Sequence, residues 1–407
     1  MSSLLPKIAV INDSASPVPA TRGGAVQTLT QLLLDENEHS PQFDFSVFSI
    51  HEPSAEKAAA SYAHSRFFFY PPNVHIRQRR FRYRALHALS HVLPQHTLDR
   101  LSAVSLSVEA FRNKLKNGAF NAVIVENRPH CVIPLRRLFP RTPIILHLHN
   151  SYVVRGCARE EAIAADTSAF FCVSNFICGQ VKAAGGIAPE NVFCLYNGID
   201  VERFTRPIPA EKRTELRKHF GFAPTDFVFV FAGRTIKEKG IAELITAFTE
   251  AENALGPTAK LLILGASHAA GSPIDWEIPN DPNIVFSGYI NHEDMPATLQ
   301  SADASVHPAI WEEPLSLAFI ESLCAGLPSI ITDSGGMVEA AENSGATIVP
   351  RGENLPHRLA KAMIAIAKTP EPERQKLSER ARARGAFFSK ERYFNRFCDL
   401  LNTVLQR

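Results

Sequence analysis

The sequence predicts an α/β protein built from two doubly wound, Rossmann-like halves, and three observations carry that expectation. Short β-branched and aromatic runs alternate with longer amphipathic ones along the chain, as parallel strands joined by helical crossovers require. The alternation occurs twice, on either side of Arg206-Pro-Ile-Pro209, which interrupts both periodicities. The length of 407 residues, with 45% hydrophobic and 21% charged side chains, suits an ordinary globular chain with two large domains.

In the first half the expected strands are 7–11, 43–50, 122–126, 143–149, 169–174 and 192–196. In the second they are 227–232, 260–264, 284–286, 304–307, 328–332 and 347–349, with helices such as 240–255 between them. The segment 374–406 is rich in Arg and Phe, reads as helix and has no strand after it. The domains expected are 1–200, 201–380 and a terminal helix, 381–407.

Charge and cysteines narrow the setting. With 43 basic and 41 acidic side chains the net charge is +2, so no global field calls for nucleic acid as a partner. Seven cysteines, an odd number without a Cys-x-x-Cys pair, sit mostly in apolar runs such as Phe170-Phe-Cys172-Val, as reduced structural thiols do. The N-terminus lacks secretory-signal features, and no apolar run approaches the roughly 20 residues that span a bilayer. A cytoplasmic protein is expected. Arg66-Phe-Phe-Phe-Tyr70 and the stretch from Arg77 to Arg84 interleave cations with aromatics; they are either core or a peripheral contact with anionic lipid at the inner face of the membrane.

The polar motifs follow the expected strands, where open α/β sheets bind ligands. After the first strand, Thr21-Arg-Gly23-Gly24 opens a helix, and paired glycines there let the backbone come close to a phosphate. The strand Ile144-Ile-Leu-His147-Leu-His149-Asn150 carries two histidines on one face; His147 reads as a hydrogen-bonded core residue and His149, at the strand's end, as a ligand contact. Ser174 caps a helix, and Asn197-Gly198 is expected to turn with positive φ. Gly233-Arg234-Thr-Ile-Lys237-Glu-Lys239-Gly240 follows the strand 227–232, with Arg234 and Lys239 as candidate diphosphate ligands and Lys237 a surface charge. Glu313-Pro-Leu-Ser-Leu-Ala-Phe-Ile-Glu321 places two carboxylates eight residues apart across a loop and helix start, and Cys324-Ala-Gly-Leu-Pro328 closes that helix.

As a set these motifs resemble glycosyltransferase family 4, the retaining nucleotide-sugar transferases of the GT-B fold, also grouped as glycosyl transferases group 1. The resemblance implies two Rossmann-like domains facing across a cleft and a C-terminal helix that crosses back to the first. It implies that Gly23 and Gly24 lie over the donor diphosphate and that His149 contacts the transferred sugar. Arg234 and Lys239 would grip the diphosphate, Glu321 the ribose hydroxyls, and Glu313 the donor sugar. The amides of Leu315, Ser316 and Leu317 would meet phosphate or sugar, and Asn197 would face the cleft. Val285 to Ile290 resembles the segment that reads the base. The chain departs from the family with Asn150 for Asp after His149, Pro314-Leu315-Ser316 for Gly-Phe-Gly, and Gly265-Ala-Ser-His268 for Gly-x-Gly.

The activity implied is metal-independent, cofactor-free transfer of a hexose or N-acetylhexosamine from a nucleotide sugar, UDP-linked, to a glycan or lipid-linked acceptor. Glu126-Asn-Arg-Pro-His130 and His147-Leu-His-Asn150 are similar to motifs of bacterial transferases of lipopolysaccharide core or exopolysaccharide. A sugar-nucleotide epimerase or a phosphorylase on a related scaffold, or a catalytically silent glycan-binding protein, are the alternatives. A nicotinamide dehydrogenase is disfavoured because Gly-x-Gly-x-x-Gly is absent after the first strand.

Overall fold

Both halves of the sequence form sheets whose strands run parallel. The computed structural model describes residues 5–12, 14, 16–71, 106–265 and 280–407. The chain divides into one unit of residues 1–198 with 390–407 and a second of residues 199–389.

In the first unit the strands are β1 (Lys7–Ile11), β2 (Asp44–Ile50), β3 (Ser65–Tyr70), β4 (Ala122–Glu126), β5 (Ile144–Leu148), β6 (Ala169–Cys172) and β7 (Val192–Cys194). Their order is β3-β2-β1-β4-β5-β6-β7, so the winding reverses between β1 and β4. Every residue of β4, β5 and β6 is buried, which is why these strands read as continuous apolar runs rather than alternating ones. Glu126 is registered against His147 across β4 and β5, so the polar residues that interrupt those runs are neighbours.

In the second unit β8 (Phe227–Ala232), β9 (Ala259–Leu264), β10 (Ile284–Gly288), β11 (Ala304–His307), β12 (Ser329–Thr332) and β13 (Thr347–Val349) are ordered β10-β9-β8-β11-β12-β13. Helix Ile241–Leu255 buries Ile241, Leu244, Ala247, Phe248 and Ala251, one stripe at helical spacing, in a core shared with Phe229, Leu359 and Met363. Each large side chain so buried contributes about 1.5–3 kcal/mol. Arg217 is also buried, its guanidinium held by the carbonyls of Ser301, Pro224 and Asp226 and by Asp303. Asp303 also accepts from Arg213 and from the Val228 amide, so it pins β8 to the neighbouring helix.

Two expectations, a single helix over 374–406 and a positive φ at Asn197-Gly198, are corrected. The segment 374–406 is not one helix: Glu371–Gly385 belongs to the second unit and Lys390–Leu405 to the first, with extended Ser389 between them. Gly385 lies so close to Cys324 that a Cβ there would meet its Sγ at 2.6 Å, tying the earlier helix to Leu317–Cys324. The later helix packs on helix Ala25–His39, with Lys390 Nζ 3.4 Å from Glu36 and Phe397 against Phe43, Phe45 and Phe171. Residues 66–70 are part of edge strand β3, where Phe68 stacks on Phe48 and Arg66 pairs with Asp44; the basic segment 77–84 lies outside the described residues. Neither Asn197 nor Gly198 has positive φ, and Gly198 is needed instead because a Cβ would strike Tyr393 at 2.6 Å.

All seven cysteines are free. Among the described residues no helix is long and apolar enough to cross a membrane.

Candidate active site

In the second unit the residues beyond β8 and β11 converge on Glu313. Lys239 follows β8 through the turn Gly233 to Ile236, and its ammonium lies 2.6 Å from Glu313 Oε2. The same oxygen accepts from Trp311 Nε1 at 2.7 Å, and Glu313 is only 6% exposed. The loop that carries it is held by backbone: the Glu313 amide donates to Ser334 Oγ at 2.8 Å, and the Gly336 amide donates to the Glu313 carbonyl at 2.8 Å. Gly335 has φ 42°, and a Cβ there would sit 2.4 Å from the Glu313 carbonyl oxygen, so only glycine lets the two loops approach. Gly240, at φ 73°, plays the same part beside Lys239, where a Cβ would sit 2.0 Å from the Pro308 carbonyl oxygen.

Beyond Glu313 the chain enters helix Leu317–Cys324. Ser316 is its N-cap, accepting from the Phe319 amide, while the leading amides of the first turn have no acceptor within the helix. That arrangement suits an anionic or hydroxyl-rich ligand. Leu315 and Ser316 are buried and Leu317 half-buried. Glu321, one turn further, is 3.6 Å from His292. Under the loop His307 is buried with Nε2 3.2 Å from Ser322 Oγ; burial, with Lys239 adding to it, holds its pKa down at about 3, so the ring is neutral. Arg234 is exposed and has no ion pair among the described residues, and Lys237 is exposed as expected.

In the first unit Gly23 and Gly24 precede helix Ala25–His39 with φ 69° and 104°, conformations that favour glycine. Gln27 of that helix donates to Asn12 Oδ1, and Asn12 in turn donates to Ser49 Oγ, fixing the end of β1. His149 follows β5. Its Nε2 and the Nδ1 of His147 each lie 3.1 Å from Glu126 Oε2, and all three side chains are buried. Burial raises the Glu126 carboxyl, but the two imidazoles outweigh it and hold it down at about 2; burial and the neighbouring His147 bring His149 down to about 4. The pair is therefore a carboxylate and a neutral His149 at neutral pH. Asn197 is buried with its Oδ1 unpartnered among the described residues, as are His149 Nδ1, His147 Nε2 and Tyr393 Oη.

The ligand atoms of Glu126, His147 and His149 lie within 4.8 Å of one another, which makes this the one group among the described residues close enough to consider for a metal ion. The outer imidazole nitrogens lack the carboxylate or carbonyl that normally orients a metal-bound histidine, and Glu126 satisfies the inner ones, so the trio fits hydrogen bonding better than coordination. A cavity of about 510 Å³ lined by Lys7, Arg66, Phe68 and Lys114 opens at the other, amino ends of β1 to β3, away from these residues.

Lys239, Glu313 and the Ser316 cap thus come together in one unit, which also carries Arg234 and Glu321, and Gly23, Gly24, His149 and Asn197 belong to the other. Sequence reasoning noted Glu126 only as the start of the Glu126 to His130 motif, without a role at the site, and passed over Trp311 and Ser334-Gly335. An acid ending the apolar run Ala122-Val-Ile-Val-Glu126, next to a His-x-His strand, was the available signal for that role. His268 lies outside the described residues.

Two Rossmann-like units with parallel sheets of seven and six strands are the architecture of the GT-B fold. Residues 212–384, within the second unit, match the family model described as glycosyl transferases group 1. It is 27% identical over 416 residues to the putative glycosyltransferase YtcC of Bacillus subtilis, covering 98% of this chain and 92% of that one. A GDP-mannose-dependent monoacylated alpha-(1-6)-phosphatidylinositol monomannoside mannosyltransferase of Corynebacterium glutamicum is 28% identical over 214 residues, 51% of this chain and 55% of its own length. Among solved structures, Anabaena HepE in complex with UDP-glucose superposes with TM-score 0.70 at 15% identity, covering 98% of this chain and 99% of that one.

Proposed function

We propose that the protein is a retaining family 4 hexosyltransferase that moves a hexose or N-acetylhexosamine from a UDP-linked donor to a glycan or lipid-linked acceptor, without a metal ion. The observation that carries this reading is the Lys239–Glu313 pair at 2.6 Å beside the Ser316-capped helix. In the reaction the bond from the anomeric carbon to the diphosphate oxygen breaks, the acceptor hydroxyl oxygen takes its place on the same face, and its proton goes to the departing phosphate. Charge grows on the diphosphate as that bond breaks, so Arg234 and Lys239 stabilise the transition state more than the ground state. Glu313 orients Lys239 and accepts sugar hydroxyls, Glu321 accepts the ribose hydroxyls, and the amides of Leu315 to Leu317 meet phosphate or sugar. His149 contacts the transferred sugar.

The UDP-glucose bound to HepE supports a uridine donor, and the GDP-mannose dependence of the mannosyltransferase relative makes GDP its competitor. That relative's lipid acceptor supports a lipid-linked substrate, and with it a peripheral, inner-face location; the narrower lipopolysaccharide or exopolysaccharide role rests on the Glu126 to His130 and His147 to Asn150 motifs. Calorimetric titration with UDP, GDP and ADP in chelator, on the wild type and Arg234→Ala, tests the reading. One nucleotide should bind, and the variant should lose that binding; no binding by any of the three refutes it. Interconversion of donors without an acceptor would instead mark an epimerase.

A further inference from the structure

His149 is followed by Asn150, so no carboxylate adjoins it along its own strand. The neighbouring strand supplies a carboxylate from another direction. Glu126 ends β4, is registered beside His147 on β5, and reaches past it to His149 with Oε2 3.1 Å from Nε2. An ionised carboxylate accepts only, so the proton of a neutral His149 must lie on Nε2. Its Nδ1 then carries a lone pair, and that nitrogen is buried with no donor among the described residues. His147 and, from helix Lys390–Leu405, Tyr393 also feel this carboxylate, and the Tyr393 hydroxyl likewise has no partner among the described residues.

We infer that Glu126 is a positioning residue that holds His149 as the Nε2–H tautomer, so that the ring meets a hydroxyl-bearing ligand as an acceptor at Nδ1. The role deepens the glycosyl-transfer reading proposed above and rests on it only for the ligand's identity. A neutral amide cannot impose the same tautomer, because a Gln side chain both donates and accepts. Glu126→Gln therefore frees His149 to place its proton on Nδ1, where it would face a hydroxyl as a second donor. Glu126→Asp keeps the charge and should keep the tautomer.

The test is long-range ¹H–¹⁵N NMR of the full chain labelled at histidine nitrogen, in EDTA, with His149→Asn for assignment. Wild type and Glu126→Asp should show His149 protonated on Nε2, and Glu126→Gln should show protonation on Nδ1 or a mixture. Sugar release from the donor selected by calorimetry should fall between about 10²- and 10⁴-fold in kcat/KM for Glu126→Gln, with most of the loss restored in Glu126→Asp. Nucleotide affinity should stay within about twofold, because the diphosphate ligands belong to the other unit. A wild-type His149 protonated on Nδ1, an unchanged tautomer in Glu126→Gln, or an equivalent of metal retained in EDTA would each overturn the inference. If Glu126→Gln does not fold, the wild-type spectrum alone decides. Failure of every nucleotide to bind would count against the transfer reading and leave the tautomer result standing.

Discussion

Replacing Lys239 by Met should destabilise the second unit by about 2–4 kcal/mol, and the structure gives the reason. Lys239 Nζ is 2.6 Å from Glu313 Oε2, and the carboxylate is buried. At an effective dielectric near 20 such a pair attracts by on the order of 6 kcal/mol before desolvation. Burying both charges takes back a large part of that, and losing one partner of a buried pair costs about 3–5 kcal/mol. Lys239 keeps 17% of its side-chain surface exposed, so solvent screening lowers the expected figure. After the substitution Glu313 retains only the Trp311 indole as its side-chain donor among the described residues. Trp311 donates to this carboxylate, so urea unfolding followed by tryptophan fluorescence reports on the pair's surroundings. With a slope of about 2 kcal/mol per molar, the midpoint should drop by about 1–2 M. Adding Glu313→Gln removes the stranded charge, and the double variant should recover at least half of the loss. A single variant within about 0.5 kcal/mol of wild type, or strictly additive effects, would refute the reasoning.

Gly335→Ala should cost about 2–4 kcal/mol by the same assay, because the residue has φ 42° and its Cβ would meet the Glu313 carbonyl at 2.4 Å. Stability should fall on acidification: His149 at about 4 and His307 at about 3 lie below the unfolded value of about 6.5, so the unfolded chain binds more protons as pH drops through that window. Each should remove about 2 kcal/mol between pH 7 and 5, and His307→Asn should flatten the urea midpoint's dependence on pH if the assignment is right. Tyr393→Phe removes a buried hydroxyl that has no partner among the described residues, and should leave the melting temperature unchanged or raise it; a loss above about 1 kcal/mol would show that the hydroxyl is bonded.

Central strands of both sheets were legible because they are buried on both faces and read as largely apolar runs, as in Ala122–Glu126 and Phe227–Ala232. β3 was not, because its Arg66-Phe-Phe-Phe pattern on an edge mixes cations with half-buried rings and carries no period of two. The helix break at Ser389 was equally hidden, since no Pro or Gly marks it and the reason lies in which unit each helix packs upon. Local chemistry marked the candidate loops: Gly-Arg to Lys-Gly and the paired glutamates need no tertiary knowledge. What joins them does. Lys239 and Glu313 are 74 residues apart and Glu126 and His149 are 23 apart, so each pairing follows from strand order rather than from spacing.

The return of residues 390–407 to the first unit makes the second unit an insert within the first. Its two ends are stitched together, with the Ile199 amide donating to the Phe388 carbonyl at 2.8 Å and a parallel bridge between Ile199 and Ser389. On the ribosome, the half that is made first therefore finishes last. Its aromatic surface at Phe43, Phe45 and Phe171 waits for Phe397 until the final helix emerges, while residues 199–389 already hold everything their own sheet requires.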